Sequence, residues 1–372
     1  MTLMAVTDSI IAVSKGSNVD CYDYSTHTIL DLKLNSVTED DNVKDLVISK
    51  DKKLLAILLS SSKRLIVYEI PELKVLQSIV LPRSASKVRF GVNSDQILVA
   101  DKTGDVLIYE IFKDDKGVKI LGHLSLLLNV LQTYDGKYII TSDRDEKIKV
   151  SCYPNTYNIQ TYCLGHKEFV NHIELLHTPG YLMSASGDGT VKIWNYTNGK
   201  LIYTIDTYND VKNNEELKQD FSKCMDEEGI EINSLPIVDC TITKFDQFSS
   251  LIGLTIHSYL KVLIYQLHHK NEEFHHNFVT ELACDVFPTA VQFHNSSLFI
   301  YDKVNFKVFE YNINNKNNSV SLDLAKEIQV FTNETAYTNG SVDLESIKVL
   351  YKRKFDNVQE YKERKKLRLE KK

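Results

Sequence analysis

The 372-residue sequence has a single tryptophan, Trp194, and its 14 glycines stand singly. No glycine-rich loop is present to cradle a phosphate or a dinucleotide, which removes the nucleotide-binding classes that depend on one. The six cysteines, at 21, 152, 163, 224, 240 and 284, show no Cys-x-x-Cys spacing, so neither a zinc site nor a disulfide framework is indicated. Long apolar runs are missing as well. The longest, such as Leu54 to Leu59, match a strand and fall far short of the roughly 20 residues of a membrane-spanning helix. The first residues lack the basic and apolar pattern of a secretory signal, and no membrane association is expected. A reducing cytoplasm or nucleus is the default compartment.

What the chain does contain is repetition. Leu121-Gly122-His123 recurs as Leu164-Gly165-His166, and 22 residues after each histidine stands an aspartate, Asp145 and Asp188. The second copy continues as Ser184-Ala185-Ser186-Gly187-Asp188-Gly189-Thr190-Val191-Lys192-Ile193-Trp194. This run resembles the strand-turn-strand of a WD-repeat propeller blade, where a short apolar strand ends in tryptophan. Aligning that strand end through the chain picks out Tyr22, Tyr68, Tyr109, Ser151, Trp194, Tyr265 and Phe309, separated by 46, 41, 42, 43, 71 and 44 residues. Five separations fit a period of roughly 40 to 45 residues, and the sixth fits once a loop of about 28 residues is allowed. The pattern predicts an all-β, seven-bladed WD-repeat β-propeller over residues 1–331, with the N-terminal segment completing the last blade. The hydrophobic share of 43% suffices for a continuous core between blades, and the many Tyr, Ile and Val suit pleated, half-buried strands.

Charge is unevenly placed. The formal net charge is -6, yet residues 352–372 hold ten basic and four acidic side chains, leaving 34 basic against 46 acidic elsewhere. An acidic ring therefore carries a basic C-terminal extension, residues 332–372. Between blades five and six, residues 207–232 carry eight acidic and three basic residues, a polar composition that predicts a poorly ordered insertion outside the ring. Residues 312–319 are rich in asparagine and read as a hairpin loop of the last blade. In the extension, Asp356 with Gln359 and Asn357 with Glu360 match capping-box spacing, which predicts a helix from about Asn357. Phe355, Val358 and Tyr361 form its apolar seam. Its outward face offers Lys362, Arg364, Lys365, Lys366 and Arg368 to solvent or to phosphate.

Few residues invite catalysis. His123 with Asp145 and Thr141, and His166 with Asp188 and Ser184, imitate hydrolytic triads, but in this type of blade such groups form an internal hydrogen-bonded chain that ends at the tryptophan. His123, Asp145, His166, Asp188 and Trp194 are therefore assigned to structure, and no catalytic residue is named. His268, His269, His275 and His276 flank a polar hairpin tip, where solvation is the ordinary state, so no metal site is assigned. An enzyme built in the central channel would need convergent acids or metal ligands on the innermost strands, and the sequence does not place any. The turn of blade four is different. Thr141-Ser142-Asp143-Arg144-Asp145-Glu146-Lys147 puts charges where Ser186-Gly187-Asp188-Gly189-Thr190 has glycines and small hydroxyl residues. Glycine suits a tight turn better, so these charges point to a contact surface.

Three segments carry a more specific resemblance: 142–150 (SDRDEKIKV), 162–170 (YCLGHKEFV) and 354–361 (KFDNVQEY). They resemble the WD-repeat noncatalytic subunit of eukaryotic tRNA (guanine-N7)-methyltransferase, the Wuho family of insects. The resemblance implies a heterodimer with a methyltransferase-fold catalytic subunit. That partner binds S-adenosylmethionine and forms N7-methylguanosine in the variable loop of tRNA, while the propeller binds no cofactor, stabilises the enzyme and helps position tRNA. Carried over residue by residue, Arg144 is the foremost partner contact, with Asp143, Glu146, Lys147, Lys167 and Glu168 around it. Lys362, Arg364, Lys365, Lys366 and Arg368 are the expected tRNA contacts. The alternative is a generic WD-repeat scaffold, such as a ubiquitin-ligase adaptor or a ribosome-assembly factor, since the fold alone does not specify a function.

Overall fold

The computed structural model describes residues 3–32, 34, 41–113, 116–226, 229–316, 319–331 and 344–352. Among them, seven four-stranded antiparallel sheets follow one another along the chain, at residues 4–32, 43–80, 85–122, 127–163, 170–206, 237–283 and 290–329. The expected all-β propeller of seven blades is the architecture found. Within each blade the strands pair in sequence order, and the first strands of adjacent blades lie against one another. The first strand is therefore innermost and the fourth outermost. The second strand of blade two, Leu54–Leu59, is buried throughout, because it has strands on both edges and neighbouring blades on both faces. Its alternation is lost for the same reason that it is lost in any two-sided buried strand.

The register of the repeat is the one read from the sequence. Tyr22, Tyr68, Tyr109, Ser151, Trp194, Tyr265 and Phe309 all lie in third strands. Their partners on the second strands are Ile11, Leu55, Ile97, Ile139, Leu182, Ile252 and Ile300. An aliphatic residue faces each of the seven, as expected where cross-strand pairs carry much of a sheet's stability. Side chains on the innermost strands fasten blade to blade. Asp45 accepts from Lys87 at 2.8 Å, from Arg89 at 3.3 Å and from the Val88 amide at 3.0 Å, and Asp239 accepts from the Val291 amide at 3.0 Å. Arg89, His172, Glu174 and Asp239 also line a channel cavity of about 280 Å³. Burial raises the Glu174 carboxyl and lowers His172, favouring the uncharged form of each.

Three expectations are corrected. The N-terminal segment does not complete the last blade. Met4–Val6 pairs with the second strand of its own blade, and the outer position of blade seven is already filled by Ser319–Gln329. Closure comes from side chains instead: Met4, Val6, Ile11 and Val13 pack with Phe299, Tyr301, Val308 and Ile328. The Tyr301 hydroxyl donates to the Ser14 carbonyl at 3.2 Å, and Asp8 accepts from His294 at 2.8 Å. The Asn-rich stretch is mostly strand, with Asn312, Asn314 and Asn315 paired to Asp323, Ser321 and Val320. The insertion, finally, is helical and packed on the ring in its described residues. Helix α1, Asn214–Asp226, has acidic residues in its first turn, Lys223 in its last, and Phe221 and Met225 buried. Leu217, Phe221 and Met225, spaced by four, lay one apolar stripe on the same cluster as Ile230, Ile232 and Leu235.

In an antiparallel meander that starts at the channel, the turns between second and third strands share one face with the links from one blade to the next. α1 belongs to that face. So does a short helix α2, Leu344–Lys348, whose Ile347 and the following Tyr351 are buried in the cluster that holds α1. Truncating the buried Phe221 to Ala should cost about 3 kcal/mol, by loss of transfer energy and an unfilled cavity. Amides of residues 217–226 should resist hydrogen exchange in the wild type. Immediate exchange there, with no stability change in Phe221→Ala, would return the insertion to a solvated loop.

Candidate partner-binding face

The blade-five network accounts for His166, Asp188 and Trp194. His166 Nδ1 lies 2.9 Å from Asp188 Oδ2 and its Nε2 lies 2.7 Å from Ser184 Oγ, which also accepts from Trp194 Nε1 at 2.8 Å. A carboxylate only accepts, so Nδ1 carries a proton, and in the neutral ring the Ser184 hydroxyl then donates to Nε2. Burial alone would raise the Asp188 carboxyl, but bonds from His166, from Thr190 and from the Lys167 amide outweigh it and hold the group down at about 2. The three side chains and Ser184 thus form a satisfied internal chain.

Blade four uses a different acid from the one expected. His123 Nε2 meets Thr141 Oγ1 at 2.7 Å, while its Nδ1 meets Asp143 Oδ2 at 2.9 Å. Asp143 also accepts from the Lys147 amide at 3.0 Å. Asp145 has no part in this chain. The pairing Thr141↔Lys149 matches Ser184↔Lys192, so Asp145 does occupy the position of Asp188, but the carboxylate that serves histidine and turn comes from the strand end, two residues earlier. Asp101 plays the equivalent part toward its own turn in blade three, accepting from the amides of Thr103 and Asp105. Asp143 is accordingly 1% exposed and serves the fold instead of the expected contact surface, while Asp145 is left half-exposed outside the network.

The remaining expected contacts occupy one rim. The Arg144 amide donates to the Leu126 carbonyl at 2.9 Å, as the Gly187 amide does to Phe169. The Arg144 side chain is thus left over: its Nε stands 3.9 Å from Asp145 Oδ1 and makes no hydrogen bond. Glu146 holds a φ of 67°, where the matching Gly189 has 75°. A side chain tolerates that left-handed conformation only at some cost, so the charge is there despite the turn and not because of it. Lys147 and Lys167 are exposed. Glu168 is half-buried, and burial together with Glu146 and Asp188 pushes its carboxyl up to about 7 against the opposing effect of Lys352. The four histidines of blade six go elsewhere. His268 stacks on His275 at 4.6 Å, His269 on Phe274 at 4.3 Å, and His276 meets the Tyr203 hydroxyl at 2.9 Å.

Sequence reasoning missed two residues of this rim. Tyr351 stands edge-on to Phe169 at 5.1 Å and near Phe221 at 6.2 Å, and its hydroxyl reaches the Gly187 carbonyl at 3.4 Å. Phe169 in turn forbids a side chain at 187, where a Cβ would meet its ring at 2.4 Å. Lys352 bonds the Glu146 carboxylate and stands 4.0 Å from Asp145 Oδ1. These contacts bring together segments some 200 residues apart, and no local pattern announces them. The expected helix from Asn357 and its basic residues Lys362, Arg364, Lys365, Lys366 and Arg368 lie outside the described residues.

The two aspartates should separate cleanly on mutation. Asp143→Ala strands a buried imidazole and a turn amide and should lower stability by about 2 kcal/mol, whereas Asp145→Ala should stay within about 0.5 kcal/mol of wild type. Denaturant titration of both variants checks this, and equal losses would put Asp145 back in the network.

Comparison with known proteins places the chain in a family. The family model for the tRNA methyltransferase TRM82 WD40 domain matches residues 23–119 and 112–307. The tRNA (guanine-N(7)-)-methyltransferase non-catalytic subunit wuho of Drosophila pseudoobscura pseudoobscura is 44% identical over 168 residues, covering 44% of this chain and 42% of that protein. The non-catalytic subunit wdr4 of Danio rerio is 31% identical over 342 residues, covering 89% of this chain and 78% of that protein. The chain thus spans about two-fifths of the length of the insect relatives it matches. Among solved structures, a chain of the mitotic checkpoint complex aligns with a TM-score of 0.64 at 12% identity, over 81% of this chain and 86% of that one. The Cps50 (Swd1) propeller of Myceliophteria thermophila aligns at 0.61 and 9% identity, over 81% and 92%. Those two are likenesses of fold alone. The family match across most of the ring, and a relative aligned over most of the chain, establish that this protein belongs to the tRNA methyltransferase TRM82 WD40 family.

Proposed function

We propose that this chain is the noncatalytic subunit of a tRNA (guanine-N7)-methyltransferase. In this reading it binds and stabilises a methyltransferase-fold subunit as a heterodimer and helps position the tRNA whose variable-loop guanine is methylated. S-adenosylmethionine belongs to that partner, and the propeller itself takes no cofactor. The nucleus is its proposed location, with the cytoplasm as a second compartment. The observation that carries the reading is the similarity to the Danio rerio protein, a non-catalytic subunit, over 89% of this chain. The chemistry of the rim supports it. Arg144, Glu146, Lys147, Lys167 and Glu168 form a mixed-charge surface on a rigid ring, the kind of surface that fixes the register of a partner and rejects wrong ones. Coexpression with a methyltransferase-fold subunit, followed by copurification and assay on tRNA, tests the reading. An equimolar complex active on guanine N7 is expected, and failure to copurify any such subunit would overturn it.

Two variants refine that test. A guanidinium pairs in a bidentate way with a carboxylate, and truncating one partner of a desolvated pair costs about 2 to 5 kcal/mol. Arg144→Ala should therefore weaken the heterodimer by at least about tenfold, with a near-normal melting temperature, because the equivalent position in blade five is Gly187. Unchanged affinity would remove Arg144 from the interface. Deleting residues 362–372 should leave assembly intact while weakening tRNA binding and flattening its salt dependence, because a complex that neutralises fewer phosphates releases fewer counterions. An unaltered salt slope would make the tail a solvated end.

A further inference from the structure

The rim that carries Arg144, the arginine expected to receive a partner's carboxylate, also holds three acids, Asp145, Glu146 and Glu168. Left alone, these acids would compete for the Arg144 guanidinium, and Asp145 is already 3.9 Å from its Nε. The competition is relieved from outside the blade. Lys352 bonds Glu146, stands 4.0 Å from Asp145, and interacts electrostatically with Glu168. Its ammonium is held in the charged form: burial alone would lower it, and the Glu146 bond with the charges of Glu146, Asp145 and Glu168 raises it. Its position is set by Tyr351, buried against Phe169 and Phe221, and by Ile347 one turn earlier. The last described segment is therefore a strap anchored by aromatic packing, with its terminal cation delivered to the charged turn of blade four.

Resting on the function proposed above, we infer that Lys352 is a positioning residue of the partner interface: it occupies the acids of the blade-four rim so that Arg144 stays available to an acidic side chain of the catalytic subunit. Lys352 need not touch the partner. Its effect runs through Glu146 and Asp145, which would otherwise fold back on Arg144.

The test uses the full chain and the methyltransferase-fold subunit, with the dissociation constant and the melting temperature of the free propeller measured together. Lys352→Met keeps the aliphatic stem and removes the charge. It should weaken the heterodimer by about fivefold, the scale of a small ion-pair network, with little change in melting temperature. Lys352→Arg should bind as wild type does. The double variant Glu146→Lys with Lys352→Glu should bind more tightly than Lys352→Glu alone, a rescue that a packing role does not produce. Wild-type affinity in Lys352→Met, or no rescue in the double variant, overturns the inference. If Lys352→Met melts early, the charge-swap pair decides between the outcomes, because both of its members keep a charged side chain at 352. Arg144→Ala separates the two levels of the argument: equal binding by wild type and Arg144→Ala would sink the interface itself, whereas loss in Arg144→Ala with none in Lys352→Met sinks only the role of Lys352.

Discussion

The charged rim depends on a single carboxylate, Asp143. A tight turn between buried strands presents amides that need an acceptor, and the imidazole beneath it needs one too, because an unmet polar group in a dry interior costs on the order of 1 to 3 kcal/mol. In blade five the turn aspartate Asp188 meets both needs, helped by the Ser186 hydroxyl, which accepts from the Asp188 amide at 3.1 Å. In blade four Asp143 meets them from the strand end. Once it does, the three residues that follow have no structural duty beyond the backbone. Arg144, Asp145 and Glu146 can all carry charge at the half-exposed rim, and the fold tolerates the left-handed glutamate that this requires. Specificity at this surface is possible because stability has been settled one layer below.

That division also explains what the sequence disclosed and what it hid. The blade register was legible because a strand's alternation and a repeat of some forty residues are both written in residue order, and a Ser at 151 or a Phe at 309 does not disturb them. Fold class and blade count followed from the same signal. Spacing points to Asp145 instead of Asp143 for a narrower reason. The position of Asp145 in the turn is equivalent to that of Asp188, but which of two nearby carboxylates turns inward depends on side-chain direction, and spacing carries no information about that. The helix of the insertion is hidden because the average composition there is polar. The stripe of Leu217, Phe221 and Met225 is only three residues, yet on a helix three residues at intervals of four are enough to seat one face on an existing core.

The closure of the ring and the strap were hidden for a different reason, since both join residues distant in sequence. Blade one and blade seven meet through Tyr301 and Ser14, and through His294 and Asp8, without exchange of a strand. Such a seam relies on packing and a few hydrogen bonds where an exchanged strand would add a ladder of backbone bonds. The apolar cluster across it, from Met4 to Ile328, then carries the burden of closure. The strap is comparable. Phe169 belongs to the blade-five link, Phe221 to the insertion and Tyr351 to the C-terminal segment, and their rings form one aromatic group. Gly187 is part of the same arrangement, because the space a side chain would need is taken by Phe169.

These connections make the rim a composite of three chain segments, two of which, the blade-five link and the C-terminal strap, are held by one apolar cluster. Exposed ion pairs contribute little stability individually, about 0 to 1 kcal/mol each, so the acids and lysines of the rim do not hold the ring together. Their placement has consequences of another kind. Opposite charges fixed on a rigid base present a pattern, and a partner whose charges complement it gains while one whose charges do not meets repulsion and unpaired groups. Such discrimination requires that the charges not satisfy one another first. A rim in which Arg144 collapsed onto Asp145 or Glu146 would be electrically quiet. Aromatic anchorage of the strap supplies a lysine to those acids from a segment that the blade itself does not control, and it is this contribution from a remote segment that keeps the arginine available.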